Sequence, residues 1–335
     1  MSSRIAVLGA GSWGTALAAH CAAAGHDVRL WGRNADLIAE IQSRRVNDVY
    51  LPDVTIPASV LATTSLEEAL TRAEFVVAAL PSHGTRAVIR QAAAFVPRQA
   101  LMVSAIKGLE QDTLLRMSEV IAQELRAARP VAVLSGPSFA AEVARALPTA
   151  VCVASVDPVL AEDVQREFRA SYLRLYASTD VVGVEIGGAL KNIIAIAAGV
   201  VEGLGLGQNA LAALVTRGLA EITRLASALG GQRETLAGLS GLGDLVLTCT
   251  GTLSRNRHVG IELARGRQIS EIVAGMKMVA EGVKTTGAAL ALGRRNGIEL
   301  PIATQMAEVL SGSRTAAAAV GELMLRPQKT EQESY

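Results

Sequence analysis

Apolar residues in the first half of the chain gather in short runs, at 4–8, 27–31, 75–79, 100–105, 131–134, 149–154 and 172–176, with amphipathic stretches between them. Runs of this length without polar alternation suit strands covered on both faces, and the intervening helices supply the cover. They predict a doubly wound α/β domain on a parallel sheet. From about Val181 the spacing changes to threes and fours, as in Leu211, Leu214, Val215, Leu219, Ile222 and Leu225. That period gives each helix one apolar face and predicts an all-α second half. The boundary falls near Thr179-Asp180, dividing the chain into 1–180 and 181–335, with no internal repeat. The polar tail 329–335 is expected to fray.

The strongest short motif is Gly9-Ala10-Gly11-Ser12-Trp13-Gly14. It follows the first predicted strand, opens an Ala-rich helix that stops at Gly25, and precedes a second strand. In that context Gly9 permits a tight turn and Gly11 lets backbone approach a pyrophosphate. Gly14 lets the helix lie close on the strand, and the N–H groups at the helix start face the phosphate charge. The pattern predicts a Rossmann-type dinucleotide site; the bland alternative is a ligand-free strand–helix turn. After the second strand stands Trp31-Gly32-Arg33-Asn34, without the carboxylate that would accept from a ribose 2′-hydroxyl. Arg33 suits a 2′-phosphate through its guanidinium fork, which favours NADP over NAD. Otherwise it is an ordinary solvated arginine.

Composition narrows the function classes. Half of the 335 residues are hydrophobic and 19% are charged, which excludes a disordered chain. Aromatics are 3% and the net charge is +1, so base-stacking modules and general polyanion binding are not expected. The longest apolar stretches, such as 193–201, fall short of a bilayer span, and residues 1–4 lead straight into a strand. Cys21, Cys152 and Cys249 have neither disulfide nor metal spacing. The same holds for His20, His26, His83 and His258, so no metal is expected. A soluble cytoplasmic protein, with no nucleic acid and no membrane insertion, is the expectation.

Two lysines stand out. Lys107, in Ser104-Ala105-Ile106-Lys107-Gly108, follows a strand at the edge where open α/β sheets hold ligands. Lys191, in Gly188-Ala189-Leu190-Lys191-Asn192-Ile193, lies in an apolar helical stretch. There it loses hydration and becomes a usable proton donor near neutral pH, unless it snorkels to water. Gly241-Leu242-Gly243-Asp244 is a glycine-flanked turn with one carboxylate. Ser254-Arg255-Asn256 reads as a helix start with hydroxyl, guanidinium and amide together, a plausible phosphate cradle or simply a capped loop. Gly136-Pro137-Ser138 forms a further loop at a strand end.

Taken in order, these motifs resemble the bacterial-type NAD(P)-dependent glycerol-3-phosphate dehydrogenase family, from Arg4 to about Pro327. The resemblance implies reversible reduction of dihydroxyacetone phosphate to sn-glycerol 3-phosphate for phospholipid synthesis, by a cytoplasmic homodimer. It implies that Lys191 transfers the proton. Lys107, Gly136, Ser138, Asp244, Ser254, Arg255 and Asn256 would contact substrate, with Asn192 and Thr248 as further candidates. Cofactor contacts would come from Gly9, Gly11, Ser12, Trp13, Gly14, Arg33, Lys107, Ala140, Arg255, Val279 and Glu281. The rival readings are a β-hydroxyacid or 6-phosphogluconate type of dehydrogenase, and a non-enzymatic dinucleotide sensor.

Overall fold

In the computed structural model, which describes residues 2–126, 130–328 and 330, the apolar runs become strands. They are β1 Arg4–Leu8, β2 Asp27–Trp31, β3 Val60–Thr63, β4 Phe75–Ala78, β5 Leu101–Ser104, β6 Ala132–Ser135, β7 Thr149–Ala154 and β8 Leu173–Ser178. They make one sheet in the order β3-β2-β1-β4-β5-β6-β7-β8. β1 pairs in parallel with β2 on one side, Leu8 opposite Trp31, and with β4 on the other, Leu8 opposite Ala78. The chain therefore changes winding direction beside the carboxyl end of β1, the position where open sheets leave a crevice for ligands. β4 and β6 are buried along their whole length and β1 along all but its first residue, as expected for strands covered on both faces.

Two features differ from the sequence expectation. β3 was not anticipated, because at the sheet edge only Val60 of its four residues is buried and Leu61 is exposed. The sheet is also not parallel throughout, since β7 runs antiparallel to β6. The link between them carries only the five-residue helix Ala140–Ala144. A parallel crossover usually needs a longer helix to return the chain to its starting end. β7 and β8 are joined through the ten-residue helix Pro158–Glu167 and are parallel again. Within this sheet region His20 bonds the Tyr172 hydroxyl and the Phe168 carbonyl, and His26 bonds the Glu167 carbonyl.

The chain divides into two units, one of Met1–Ile106 with Met117–Val181, the other of Lys107–Arg116 with Val182–Tyr335. The second unit thus includes a ten-residue segment from the middle of the first half. Its core surrounds helix Val181–Gly203, whose Ile193, Ile194, Ile196 and Val200 are buried. Contrary to the sequence expectation, this helix is long and apolar enough to cross a bilayer by length and composition, yet nearly all of it is buried in the protein. It crosses helix Arg255–Ala264 at backbone contact. A Cβ built on Gly199 would stand 1.9 Å from the Arg257 carbonyl oxygen, and one on Gly260 would stand 1.9 Å from that of Ile196. Of the tail 329–335, only Thr330 is among the described residues.

Candidate active site

In the sheet unit the turn at 9–14 is shaped by steric limits on its glycines. Gly9 has φ +119°, and a Cβ there would lie 2.4 Å from the Ala79 carbonyl oxygen. A Cβ on Gly14 would fall 1.8 Å from the Gly9 oxygen, so helix Ser12–Ala23 packs directly on its own turn. Gly11 is the opposite case, with no atom within 4 Å of the position a Cβ would take. No side chain caps the helix start, and the buried Trp13 indole N–H has no acceptor among the described residues. Open space at Gly11 beside an uncapped helix start fits a pyrophosphate. Arg33 is exposed just beyond β2, where Asn34 caps helix Ala35–Arg44 by accepting from the Leu37 N–H at 3.1 Å.

Two other predicted loops belong to the same unit. Gly136 follows β6 with φ +135°, and the Ser138 hydroxyl donates to its carbonyl at 2.9 Å. Ala140 begins helix Ala140–Ala144 and packs with Ala16, Leu51 and Val54.

In the helical unit the dominant feature is one carboxylate between two ammonium groups. Asp244 is 1% exposed; its Oδ1 accepts from Lys191 Nζ and its Oδ2 from Lys107 Nζ, each at 2.6 Å. Asp244 starts helix Asp244–Thr250, directly after a π-helical turn at Leu239–Gly243. Thr248, one turn later, donates its hydroxyl to the Asp244 carbonyl at 2.6 Å and accepts from Lys191 Nζ at 2.7 Å. An ammonium has three N–H donors, and these contacts use two of those on Lys191. Burial pushes the Lys191 amine down to about 8; the positive charge of Lys107 acts the same way and Asp244 opposes both. Two cations on one anion leave the cluster with an excess positive charge, a setting for an oxyanion or a developing alkoxide.

The residues read from sequence as a candidate phosphate cradle lie at the start of the adjoining helix. Ser254 caps helix Arg255–Ala264, accepting from the Arg257 N–H at 3.3 Å. Arg255 Nη1 donates to the Val279 carbonyl at 2.9 Å; burial lowers its pKa and Glu281 counters that. Asn256 donates to Asn192 Oδ1 at 2.9 Å and accepts from the Gly282 N–H at 3.0 Å. Helix Glu281–Arg295 therefore begins against the Asn192–Asn256 pair.

Comparison with known proteins shows the family of the chain. The profile for the NAD-dependent glycerol-3-phosphate dehydrogenase N-terminus matches residues 4–161, and that for the C-terminus matches 180–321. The chain belongs to the NAD-dependent glycerol-3-phosphate dehydrogenase family. It is 54% identical over 274 residues to a glycerol-3-phosphate dehydrogenase (NAD(P)+) of Koribacter versatilis, covering 81% of both chains. Identity to the Geobacter sulfurreducens protein of the same name is 53%, covering 82% of both. The crystal structure of glycerol-3-phosphate dehydrogenase from Coxiella burnetii superimposes with a TM-score of 0.93 at 41% identity, covering 97% of this chain and 99% of that one.

In this glycerol-3-phosphate dehydrogenase family member, Lys107, Lys191, Asp244 and Thr248 form one hydrogen-bonded group, and Asn192 joins Asn256. Sequence reading missed Asn47. It is fully buried and donates to the Ala10 carbonyl at 3.0 Å and to Thr15 Oγ1 at 2.8 Å, pinning the glycine turn from outside. Its neighbours in sequence, Val46 and Asp48, carry no signal of that long-range role. The engagement of Asn256 was equally invisible, because Gly282 meets it only in the fold.

Proposed function

We propose that this protein reduces dihydroxyacetone phosphate to sn-glycerol 3-phosphate, and reverses that reaction, with NADP(H) preferred over NAD(H). The observation that carries the reading is Asp244 held between the Lys107 and Lys191 ammonium groups. A bound nicotinamide dinucleotide supplies the hydride in one direction and accepts it in the other. The residues around the carbonyl then have one task, to manage the charge and the proton on its oxygen. Lys191 has a third N–H beyond those given to Asp244 and Thr248, and it is the donor to that oxygen. Lys107 adds a second positive charge that favours the oxyanion. Asp244 keeps both ammonium groups in place without competing for the substrate.

The non-reacting end is the second requirement. Arg255 and the remaining N–H of Asn256 take the phosphate, beside the Ser254 cap, with Gly136 and Ser138 as further substrate contacts. Binding energy gathered there orients the carbonyl. The unit containing the 9–14 turn takes the dinucleotide, with Ser12, Trp13, Arg33 and Ala140 as contacts, joined by Val279 and Glu281 of the helical unit. NADP preference rests on Arg33 and on the lack of a carboxylate after β2. A cytoplasmic homodimer supplying the glycerol backbone of phospholipids completes the reading, on the family resemblance alone.

The test is loss of reduced-nicotinamide absorbance with dihydroxyacetone phosphate against unphosphorylated dihydroxyacetone, using each coenzyme. Rapid oxidation of NADPH only with the phosphorylated ketone is expected. Equal rates with both ketones would remove the phosphate cradle from the account. Because Lys191 acts as the ammonium in reduction and as the amine in oxidation, ketone reduction should decline as pH rises through about 8 while alcohol oxidation gains.

A further inference from the structure

Lys107 does not sit on a helix or a strand of the unit it serves. It begins the segment Lys107–Arg116, which closes on itself as a small hairpin. Leu109 bridges Arg116 in antiparallel fashion, and the Glu110 N–H donates to the Leu115 carbonyl at 3.0 Å. Leu114 has φ +62°, a left-handed backbone that a leucine adopts only when its surroundings impose it. The hairpin thus needs outside anchors, and the helical unit provides them. Leu109 is 1% exposed in the helical core, and exposed Gln111 donates Nε2 to the Lys284 carbonyl at 3.2 Å. At the far end Arg116 Nη1 meets Glu185 Oε2 at 2.7 Å, with the Glu185 side chain 2% exposed.

We infer that the Arg116–Glu185 ion pair is a positioning device for Lys107, fixing the hairpin to helix Val181–Gly203 so that the Lys107 ammonium stays on Asp244. Glu185 lies on the helix that also carries Lys191. Both lysines are therefore referenced to one rigid element, Lys191 directly and Lys107 through Arg116. A buried carboxylate at that place is costly unless paired, and its pairing with the hairpin end offsets the cost. Neither residue is part of the proposed proton-transfer group, so each acts only through Lys107.

The inference rests on the roles proposed above for Lys107 and Lys191, and the experiment separates the two. Glu185→Gln keeps the side chain's size and removes its charge, breaking the ion pair to Arg116. The charged or titratable groups around Lys191 are Asp244, Lys107 and Cys249. If Lys107 withdraws, Lys191 loses its positive neighbour while Asp244 remains, so the alkaline limb of ketone reduction moves to higher pH. We expect a shift of roughly 0.5–1 pH unit together with a KM increase of several-fold, and the same direction for Lys107→Ala. In a Lys107→Ala background, Glu185→Gln should add nothing to either quantity. Hydrogen exchange at the Glu110 and Leu114 amides should quicken in Glu185→Gln.

A Lys107→Ala variant that moves KM and the pH limb, beside a Glu185→Gln variant that moves neither, overturns the inference and leaves the proposed function standing. Additive effects in the double variant overturn it as well, because they show a general structural role. A Lys107→Ala variant with unaltered kinetics overturns both. Should Glu185→Gln not accumulate as folded protein, Gln111→Ala loosens the same hairpin from an exposed position. A smaller shift in the same direction supports the inference there, and no shift in KM, pH limb or exchange overturns it.

Discussion

The glycine turn of the sheet unit and the lysine cluster of the helical unit both suit anions by their chemistry, and they are built from opposite materials. The turn at 9–14 contains no charged side chain and relies on backbone, on space left open at Gly11, and on the steric need for glycine at positions 9 and 14. The cluster packs three charged groups together, Asp244 and Lys191 buried and Lys107 partly so, and relies on hydrogen bonds between side chains. The difference matters because backbone dipoles hold charge but cannot hand over a proton, whereas a desolvated amine can do both. On the proposed reading, dinucleotide binding rests mainly on the turn and proton transfer on the cluster, and substitutions at Gly11 and Lys191 should separate the two.

The largest expected effect is at Lys191. Lys191→Ala should lower kcat by about a thousandfold, the middle of the usual range for a lost general acid, while the dissociation constant for NADPH stays unchanged. Stopped-flow turnover and fluorescence titration of the dinucleotide give the two quantities. A parallel weakening of dinucleotide binding would mean that the two regions are not separable.

The reciprocal experiment is at Gly11. Its backbone is extended, with φ −76° and ψ −176°, and nothing lies near a new Cβ, so Gly11→Ala should fold with an unaltered Tm. On the proposed reading the methyl group would enter the space given to the pyrophosphate and weaken NADPH binding by roughly 10–100-fold, equivalent to about 1.4–2.8 kcal/mol. Gly14→Ala is the control. Its Cβ meets the Gly9 oxygen, so that variant should lose thermal stability by about 1–3 kcal/mol as an overpacked site does.

These two regions also differ in how far the sequence revealed them. The turn was legible because its constraints are local: strand, glycines and helix succeed one another, with Gly14 packed on Gly9 and Gly9 on Ala79 just past β4. Asp244 could be singled out, but its pairing with Lys107 and Lys191 joins three distant segments, so the family's motif order, not spacing, connected them. β3 escaped notice because a four-residue edge strand with one buried side chain has too little apolar pattern to register. The reversal at β7 escaped for a related reason, since strand direction depends on what a connection can span and not on the strand's own residues.

Arg255 tests the cluster from the side proposed to take the phosphate. Removing a charge-assisted bond of about 1.5–3 kcal/mol should raise KM for dihydroxyacetone phosphate by roughly 10–100-fold. KM for the unphosphorylated ketone should hardly change in Arg255→Ala. Arg255 also supports the Val279 carbonyl, so part of the loss should reappear as weaker dinucleotide binding. An increase in KM that is identical for both ketones would place Arg255 entirely in that supporting role.

The smallest effect belongs to Arg33, and it bears on the one property of the turn that backbone cannot supply. Backbone N–H groups recognise the pyrophosphate common to both coenzymes, so discrimination must come from a side chain beyond β2. Arg33 is exposed, where solvent screening limits a guanidinium–phosphate contact to about 1 kcal/mol or slightly more. Arg33→Asp should therefore change the NADPH to NADH ratio of kcat/KM by roughly tenfold in favour of NADH, through repulsion of the 2′-phosphate and acceptance from the 2′-hydroxyl. Raising the salt concentration should shrink the wild-type preference and leave NADH kinetics nearly constant. If both coenzymes respond equally to the substitution, selectivity lies elsewhere and the turn's division of labour between backbone and side chain fails at its outer edge.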